Sequence, residues 1–438
     1  MTGALTAMSL VMAALVSVIH FLSGLRKDDG SNSESIRKTL HIFMGTLTLS
    51  FPWIFQAPWP VVTLSIFASL FICLVKVSNM KAWAPVVCAR GRSSIGEICF
   101  PLAVGLVFLL AGGDRSLYMI PVAILTFADA GSALIGMRFG RRRFHTADGI
   151  KTTEGSLAFA LIAFVVTTII LSLTAGPLPA AQCLALAGIV ALIAMLFEAI
   201  SWKGLDNLLV PLGSYLALET HMSLPAGDLG MRMLILVGLA SAIIFARRKT
   251  TLNGSAIAGV ALFCYFAWIL GGPLWALSPV LLYGGYRILL PARYRDLRSS
   301  HSIYAVISVA SAGIVWLLFS SRSQDFIFPY TLTFAGHAAI IAIAHMRFSG
   351  IDRPHVHAIV LATMKAWCLL CLPFLLLYKD TKMIMLVLFL APIAIGAPAF
   401  LFYLVNTRHR APATRSTRWI KQALFAAMAS VLGFLAIL

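Results

Sequence analysis

The chain has 438 residues, of which 60% are hydrophobic and only 11% charged, with a mean hydropathy of +0.91. That composition excludes an ordinary soluble domain. The formal net charge of +18 would suit a nucleic-acid partner, but its distribution along the chain points to membrane topology and to no nucleic acid.

Apolar runs near the length of a membrane span recur from end to end. They fall at 4–24, 40–56, 58–76, 98–112, 116–137, 156–175, 180–201, 207–219, 230–246, 252–270, 272–291, 302–320, 326–346, 357–378, 383–405 and 419–438. The first has no basic region before it and no clear cleavage site, so it reads as a retained helix. The expected fold is all-α, a polytopic transmembrane helical bundle of about 16 spans. Most Lys and Arg residues lie in the odd connections. Those loops are therefore expected to be cytoplasmic, with both termini outside, N-out and C-out. The even side holds only Arg115, Arg232, Arg322, Lys379 and Lys382. None of the cysteines shows metal-ligand spacing; Cys368 and Cys371 share a helix face and read as packing.

At the mouth of the second run, Arg37 and His41 are one helical turn apart, with Lys38 between them. They read equally as a basic site and as snorkelling cations. Glu97 stands at a helix start, where the dipole alone favours an acid. Asp129 is different. It interrupts the apolar run 117–128, and an acid there costs roughly 2.5–3.5 kcal/mol on insertion scales, which makes it a functional candidate. Nine residues separate it from Arg138, about 13 Å of helix. Ala133, Gly136 and Gly140 follow on its face. They form a smooth groove for a lipid, or a small-residue packing seam.

Lys151, Glu154, Gly155 and Ser156 lead into the next run. Free N–H groups at that helix start, with Lys151 beside them, suit a phosphate; a capped basic loop is the plainer alternative. Glu198 is a second intramembrane acid, at the end of the 180–201 run. Gly204 can end that helix and Asp206 can cap the next, which leaves Glu198 and Asn207 unexplained. Carboxylates with an amide suit Mg²⁺, and the cations suit a polyphosphate. Together these are the parts of a phosphoryl-transfer site, with Asp129, Glu198 and Asp206 as catalytic candidates and Asp129 and Glu198 as metal ligands. The nucleotide and phosphate set is Arg37, Lys38, His41, Lys151, Glu154, Gly155, Ser156 and Asn207.

Five ordered motifs carry a resemblance: Arg37-Lys38-x-x-His41, Phe100-Pro101, Asp129 with Ala133, Gly136 and Gly140, Lys151-x-x-Glu154-Gly155-Ser156, and Glu198 with Asp206-Asn207 and Pro211. From about 36 to 217 the chain resembles the polyprenol kinase family, which includes phytol kinases, dolichol kinases and a CTP-using diacylglycerol kinase branch. One departure is Ala128, where the family usually has glycine. The resemblance implies transfer of a phosphate from CTP, or ATP, to a lipid alcohol such as a prenol, a polyprenol or diacylglycerol. The implied setting is a bacterial inner membrane with the site on the cytoplasmic side. Phosphatidate cytidylyltransferases are also similar here, but their long signature is absent. An ion-coupled transporter is the reading from another class; it would show repeated halves with matching broken helices, whereas these acids all lie in the first half.

Two domains are expected, a kinase-like membrane domain at 1–225 and a further helical domain at 226–438. The second carries a basic loop with His345, His355 and His357, and Lys365 within a span. Its plainest role is structural, or as the contact of a homo-oligomer.

Overall fold

The computed structural model describes residues 2–25, 33–78, 83, 94–146, 149–174, 176, 178–246, 252–289, 301–348, 356–376, 380–406 and 415–438. The chain forms two compact units, Met1–Gly238 and Leu239–Leu438. This division falls inside a helix that begins at Ala226, just past the boundary expected from sequence.

In the first unit, α1 (Thr2–Gly24), α2 (Ser33–Leu49), the single turn α3 (Phe51–Ile54) and α4 (Pro58–Val77) precede α5 (Gly96–Leu110). The expected 40–56 run is thus divided, and its helix starts earlier than the apolar pattern does. Proline in the first turn opens both α3 and α4, where a missing N–H costs nothing. Next comes α6 (Arg115–Phe139). The Asp114 side chain caps it by accepting from the Leu117 N–H at 3.0 Å. Midway, at Ile124–Ala128, α6 widens into a π-helical turn directly before Asp129.

A two-stranded antiparallel hairpin follows, β1 (Arg143–Thr146) and β2 (Gly149–Thr152), pairing Phe144 with Lys151. It is a small addition to an otherwise helical chain, in keeping with the all-α expectation. The unit continues with α7 (Thr153–Thr174), α8 (Ala180–Ile200) and α9 (Asp206–His221), and α10 (Ala226–Ala246) begins in it. The core gathers Phe51, Val61, Phe100, Val107, Tyr118 and Val122. The buried Tyr118 hydroxyl donates to the Thr48 carbonyl at 2.8 Å, so α2 and α6 are tied by a satisfied polar contact. They cross closely enough that a methyl group at Gly45 would collide with Thr126.

The second unit contains α11 (Gly254–Gly271), α12 (Pro273–Leu289), α13 (Ile303–Leu318), α14 (Ile327–Phe348), α15 (Val356–Leu370), α16 (Thr381–Val405) and α17 (Arg415–Leu435). Helix α14 is its axis: Leu332, Phe334, Ala335, Ala338, Ala339 and Ile343 are all fully buried. A helix that is apolar all round belongs at the centre of a bundle. Gly336 meets Ala426 and Ala429 of α17, a small-residue contact that lets the backbones approach. Lys365 donates to the Ile288 carbonyl at 3.4 Å. Of the expected basic loop, 349–355 lies outside the described residues.

Each expected apolar run coincides with a helix in its central part. Among the described residues, eight helices are long and apolar enough to cross a membrane, and three shorter ones are also apolar. The chain is a polytopic helical bundle, with fewer span-length helices than the sixteen runs suggest.

Candidate active site

Lys38 of α2 donates to Asp129 Oδ2 of α6 at 2.8 Å, and the side chains are only 15% and 21% exposed. The π-helical turn makes the surroundings of this pair. The Leu125 carbonyl, inside that turn, accepts from His41 Nε2 at 3.1 Å. A carbonyl can only accept, so this nitrogen carries the proton. The same Nε2 lies 3.9 Å from Asp129 Oδ2. The ring packs edge-on against Phe100 of α5, which fixes its plane. Thus one turn of α2 presents Lys38 and His41 to a single carboxylate, with Arg37 beside them on the same helix. Asp129 Oδ1 has no hydrogen-bond donor among the described residues.

A second pair lies on the hairpin side. Lys151 of β2 donates to Glu198 Oε1 at 2.6 Å and also to the Glu198 main-chain carbonyl near the end of α8. Glu198 Oε2 is buried without a hydrogen-bond partner among the described residues. The last turn of α8 leads into Ser201–Leu205, where Lys203 and Gly204 have φ of 52° and 81°. That reversal brings the start of α9 back onto α5. The Asn207 amide donates to the Gly96 carbonyl at 2.8 Å, and the Ile95 N–H donates to the Lys203 carbonyl at 2.8 Å. Asn207 is therefore an anchor between helix starts.

Asp206 does not cap α9 in the expected manner. Among the described residues, its Oδ1 accepts from the adjacent Asn207 N–H, at 3.0 Å. Burial first, then the charges of Asp129 and Glu198, push its carboxyl up to about 6, against the pull of Lys151. Asp129, Lys151, Glu198 and Asp206 are thus within electrostatic reach of one another. Glu97, on the first turn of α5, lies 3.8 Å from Lys76 and close enough to act on Cys99 together with Asp206.

Two expectations change. The groove at Gly136 and Gly140 is filled: a methyl group on either would strike Thr152, and Gly155 lies against Gly136. The glycines are there because α6 and the start of α7 nearly touch; Ala133, half-buried, lies one turn earlier. The start of α7 is also less open than expected. The Gly155 N–H donates to Thr152 Oγ1 at 3.2 Å and the Thr153 N–H to the Arg142 carbonyl at 2.9 Å. Glu154 accepts from the Arg141 and Arg142 N–H groups at 3.1 and 3.2 Å, which clamps the hairpin base. Ser156 sits one turn into α7, half-buried.

The phytol kinase of Synechocystis sp. is 33% identical to this chain over 215 residues, 48% of this chain and 89% of that protein. The chain belongs to the polyprenol/phytol kinase-like family. No family model matches it, and no solved structure does.

In this kinase-family chain, three features were hidden from sequence reading. The π-helical turn leaves only a proline, Pro121, as a trace, and a proline more often marks a plain kink. The hairpin strands are too short to show alternation. That both acids would be held by lysines follows only from tertiary contact. For a metal, no three His, Cys, Asp or Glu side chains cluster among the described residues. A nucleotide-bound Mg²⁺, however, needs only one or two carboxylates. The orphaned Glu198 Oε2 and the open Asp129 Oδ1 fit that requirement.

Proposed function

We propose that this protein is an integral membrane kinase that transfers the γ-phosphate of CTP, or of another nucleoside triphosphate such as ATP, to the hydroxyl of a lipid alcohol. The carrying observation is that two lysine–carboxylate pairs, Lys38–Asp129 and Lys151–Glu198, stand near a third acid, Asp206, which feels the charges of Asp129, Lys151 and Glu198. Polyphosphate chemistry needs cations and carboxylates in one place and needs them exchangeable. Here each lysine can leave its acid for a phosphate, and each acid is then available to a cation. Mg²⁺ held by Asp129 and Glu198 would neutralise charge developing on the transferred group. Asp206, held near 6, is the group to take the proton of the lipid hydroxyl. His41, fixed through Leu125 and Phe100, stabilises the ionised Asp129 and lines the nucleotide side with Arg37. Arg141, Arg142 and Arg143 at the hairpin are exposed and can meet the remaining phosphate charge.

The relative's name supports a long-chain prenol such as phytol as acceptor. Polyprenols and diacylglycerol present the same hydroxyl above an apolar tail. In this reading the odd connections and the site face the cytoplasm of a bacterial inner membrane, with sixteen crossings and both termini outside. Residues 1–225 carry the chemistry.

The test is incubation of purified protein with nucleotide labelled either at the γ-phosphate or in the base, with a panel of lipid alcohols. γ-Label in the extracted lipid without base label is the kinase result. Base label in the lipid is cytidylyl transfer and overturns it.

A further inference from the structure

Phe144 of β1 stands directly across the hairpin ladder from Lys151 of β2. Side chains opposite one another in an antiparallel pair lie on the same face, with Cβ atoms about 4.5–5.5 Å apart. Lys151 turns that face toward Glu198, donating to its carboxylate at 2.6 Å. Phe144 is therefore placed beside the cation that also acts on Asp129 and Asp206. Burial follows the same division. Phe144 and Lys151 are half-buried, whereas their neighbours Arg143 and Ile150, on the other face, are exposed.

A half-exposed aromatic ring at this place is not explained by packing. Phe144 is not part of the core around Phe100 and Tyr118. Among the described residues no other aromatic ring stacks on it. A ring that only anchored the hairpin in the membrane surface would belong on the opposite face, with the exposed Ile150. The layout matches a nucleotide instead: its phosphates need a cation, and its base lies one sugar away from them. Bases stack on aromatic side chains, and such stacking serves any base because each has a π-face.

We propose that Phe144 is the platform on which the base of the nucleotide stacks while Lys151 takes its phosphates. The nucleotide itself rests on the kinase reading; the shared face of ring and cation rests on the register of the hairpin. Stacking does not read the edge of a base. Phe144 therefore holds CTP and ATP alike, and any preference between them lies in groups that hydrogen-bond the base.

The experiment measures equilibrium binding to the full chain in nanodiscs, with Mg²⁺ and without a lipid alcohol, so that no turnover intervenes. The ligands are CTP, ATP and ribose 5-triphosphate, which has the sugar and phosphates but no base. The wild type should bind CTP and ATP tighter than ribose 5-triphosphate by about fivefold or more. Phe144→Ala should abolish that gap and leave the affinity for ribose 5-triphosphate nearly unchanged. Phe144→Leu keeps the apolar bulk without the π-face and should narrow the gap, whereas Phe144→Trp should preserve it. Equal affinity for all three ligands in the wild type overturns the proposal. So does a gap undiminished in the Ala and Leu variants, or a loss that falls equally on ribose 5-triphosphate, which is the mark of a structural role. If Phe144→Ala does not fold, as read by its unfolding temperature, the wild-type comparison and the Leu and Trp variants decide. Nucleotide binding that ignores Phe144 counts against this platform alone. Binding that depends on Phe144, with base label passing into the lipid, counts against the kinase reading alone. A wild type with no affinity for any nucleotide overturns both.

Discussion

Lys151 donates to Glu198 twice, once to the carboxylate and once to the main-chain carbonyl of the same residue. A strand of the hairpin is thereby fastened to the last turn of α8, and the fastening is made of groups that phosphate chemistry would use. Lys151→Met removes the cation and leaves Glu198 enclosed without it. Turnover should fall at least a hundredfold, about 2.7 kcal/mol of barrier. The protein should also lose stability, and Glu198→Gln added to Lys151→Met should recover part of that loss without recovering activity. Thermal unfolding beside turnover checks this. Recovery of activity in the double variant would show that the pair is only structural.

How much of this was legible in the sequence depended on the range of the interaction. Asp129 and Glu198 stood out because an acid in an apolar run violates a local rule. Helices followed from the apolar runs for the same reason. What could not be read was which cation each acid meets: Lys38 reaches Asp129 across 91 residues and Lys151 reaches Glu198 across 47. The i,i+4 spacing drew attention to Arg37 and His41, whereas Lys38, three residues before His41, makes the direct bond to Asp129. The Gly136–Gly140 pattern was ambiguous between groove and seam, and only the position of Thr152 decides it.

That seam makes a prediction of its own. A methyl group at Gly155 would meet Ser132 O at 3.2 Å and Gly136 Cα at 3.3 Å, both backbone, so neither can swing aside. Gly155→Ala should therefore destabilise the protein by about 1–3 kcal/mol, the usual cost of overpacking. The change should appear as a lower unfolding temperature, with nucleotide KM shifted much less than stability. A large rise in KM at unchanged unfolding temperature would instead assign Gly155 to phosphate binding.

The pH profile reports on Asp206, which lies at the loop end of α9, before the 207–219 run. Its carboxyl is raised to about 6, so the proton-accepting form is populated above that pH and lost below it. Used as the base, it should make kcat/KM fall about tenfold per pH unit on the acid side of about 6. A profile flat down to pH 5 would remove Asp206 from proton transfer.

Sidedness can be tested without activity. In a cysteine-free background, a cysteine at Arg142 and another at Asp228 should react with an impermeant thiol reagent from opposite faces of the membrane. Arg142 is exposed at the hairpin and belongs to an odd connection; Asp228 lies in the first turn of α10, in an even one. Reaction of both from the same face would break the N-out, C-out arrangement and the cytoplasmic placement of the site.

The most direct test falls on Asp129. Asparagine keeps its shape and removes the charge that Lys38 and His41 are arranged around. Asp129→Asn should leave expression and folding largely intact, because Lys38 can still donate to the amide oxygen. Turnover should fall by about three decades, on the order of 4 kcal/mol, if the ionised carboxylate serves the metal-bound nucleotide. Glu198→Gln should behave alike. Groups that act as one unit are not additive, so the double variant should cost little more than either alone. A purely structural Asp129 predicts the opposite pattern: Asn would still accept from Lys38, the helices would stay joined, and phosphorylation would continue near the wild-type rate. Measuring single-turnover rates at saturating nucleotide separates the two outcomes, because weakened nucleotide binding cannot then imitate a loss of the chemical step.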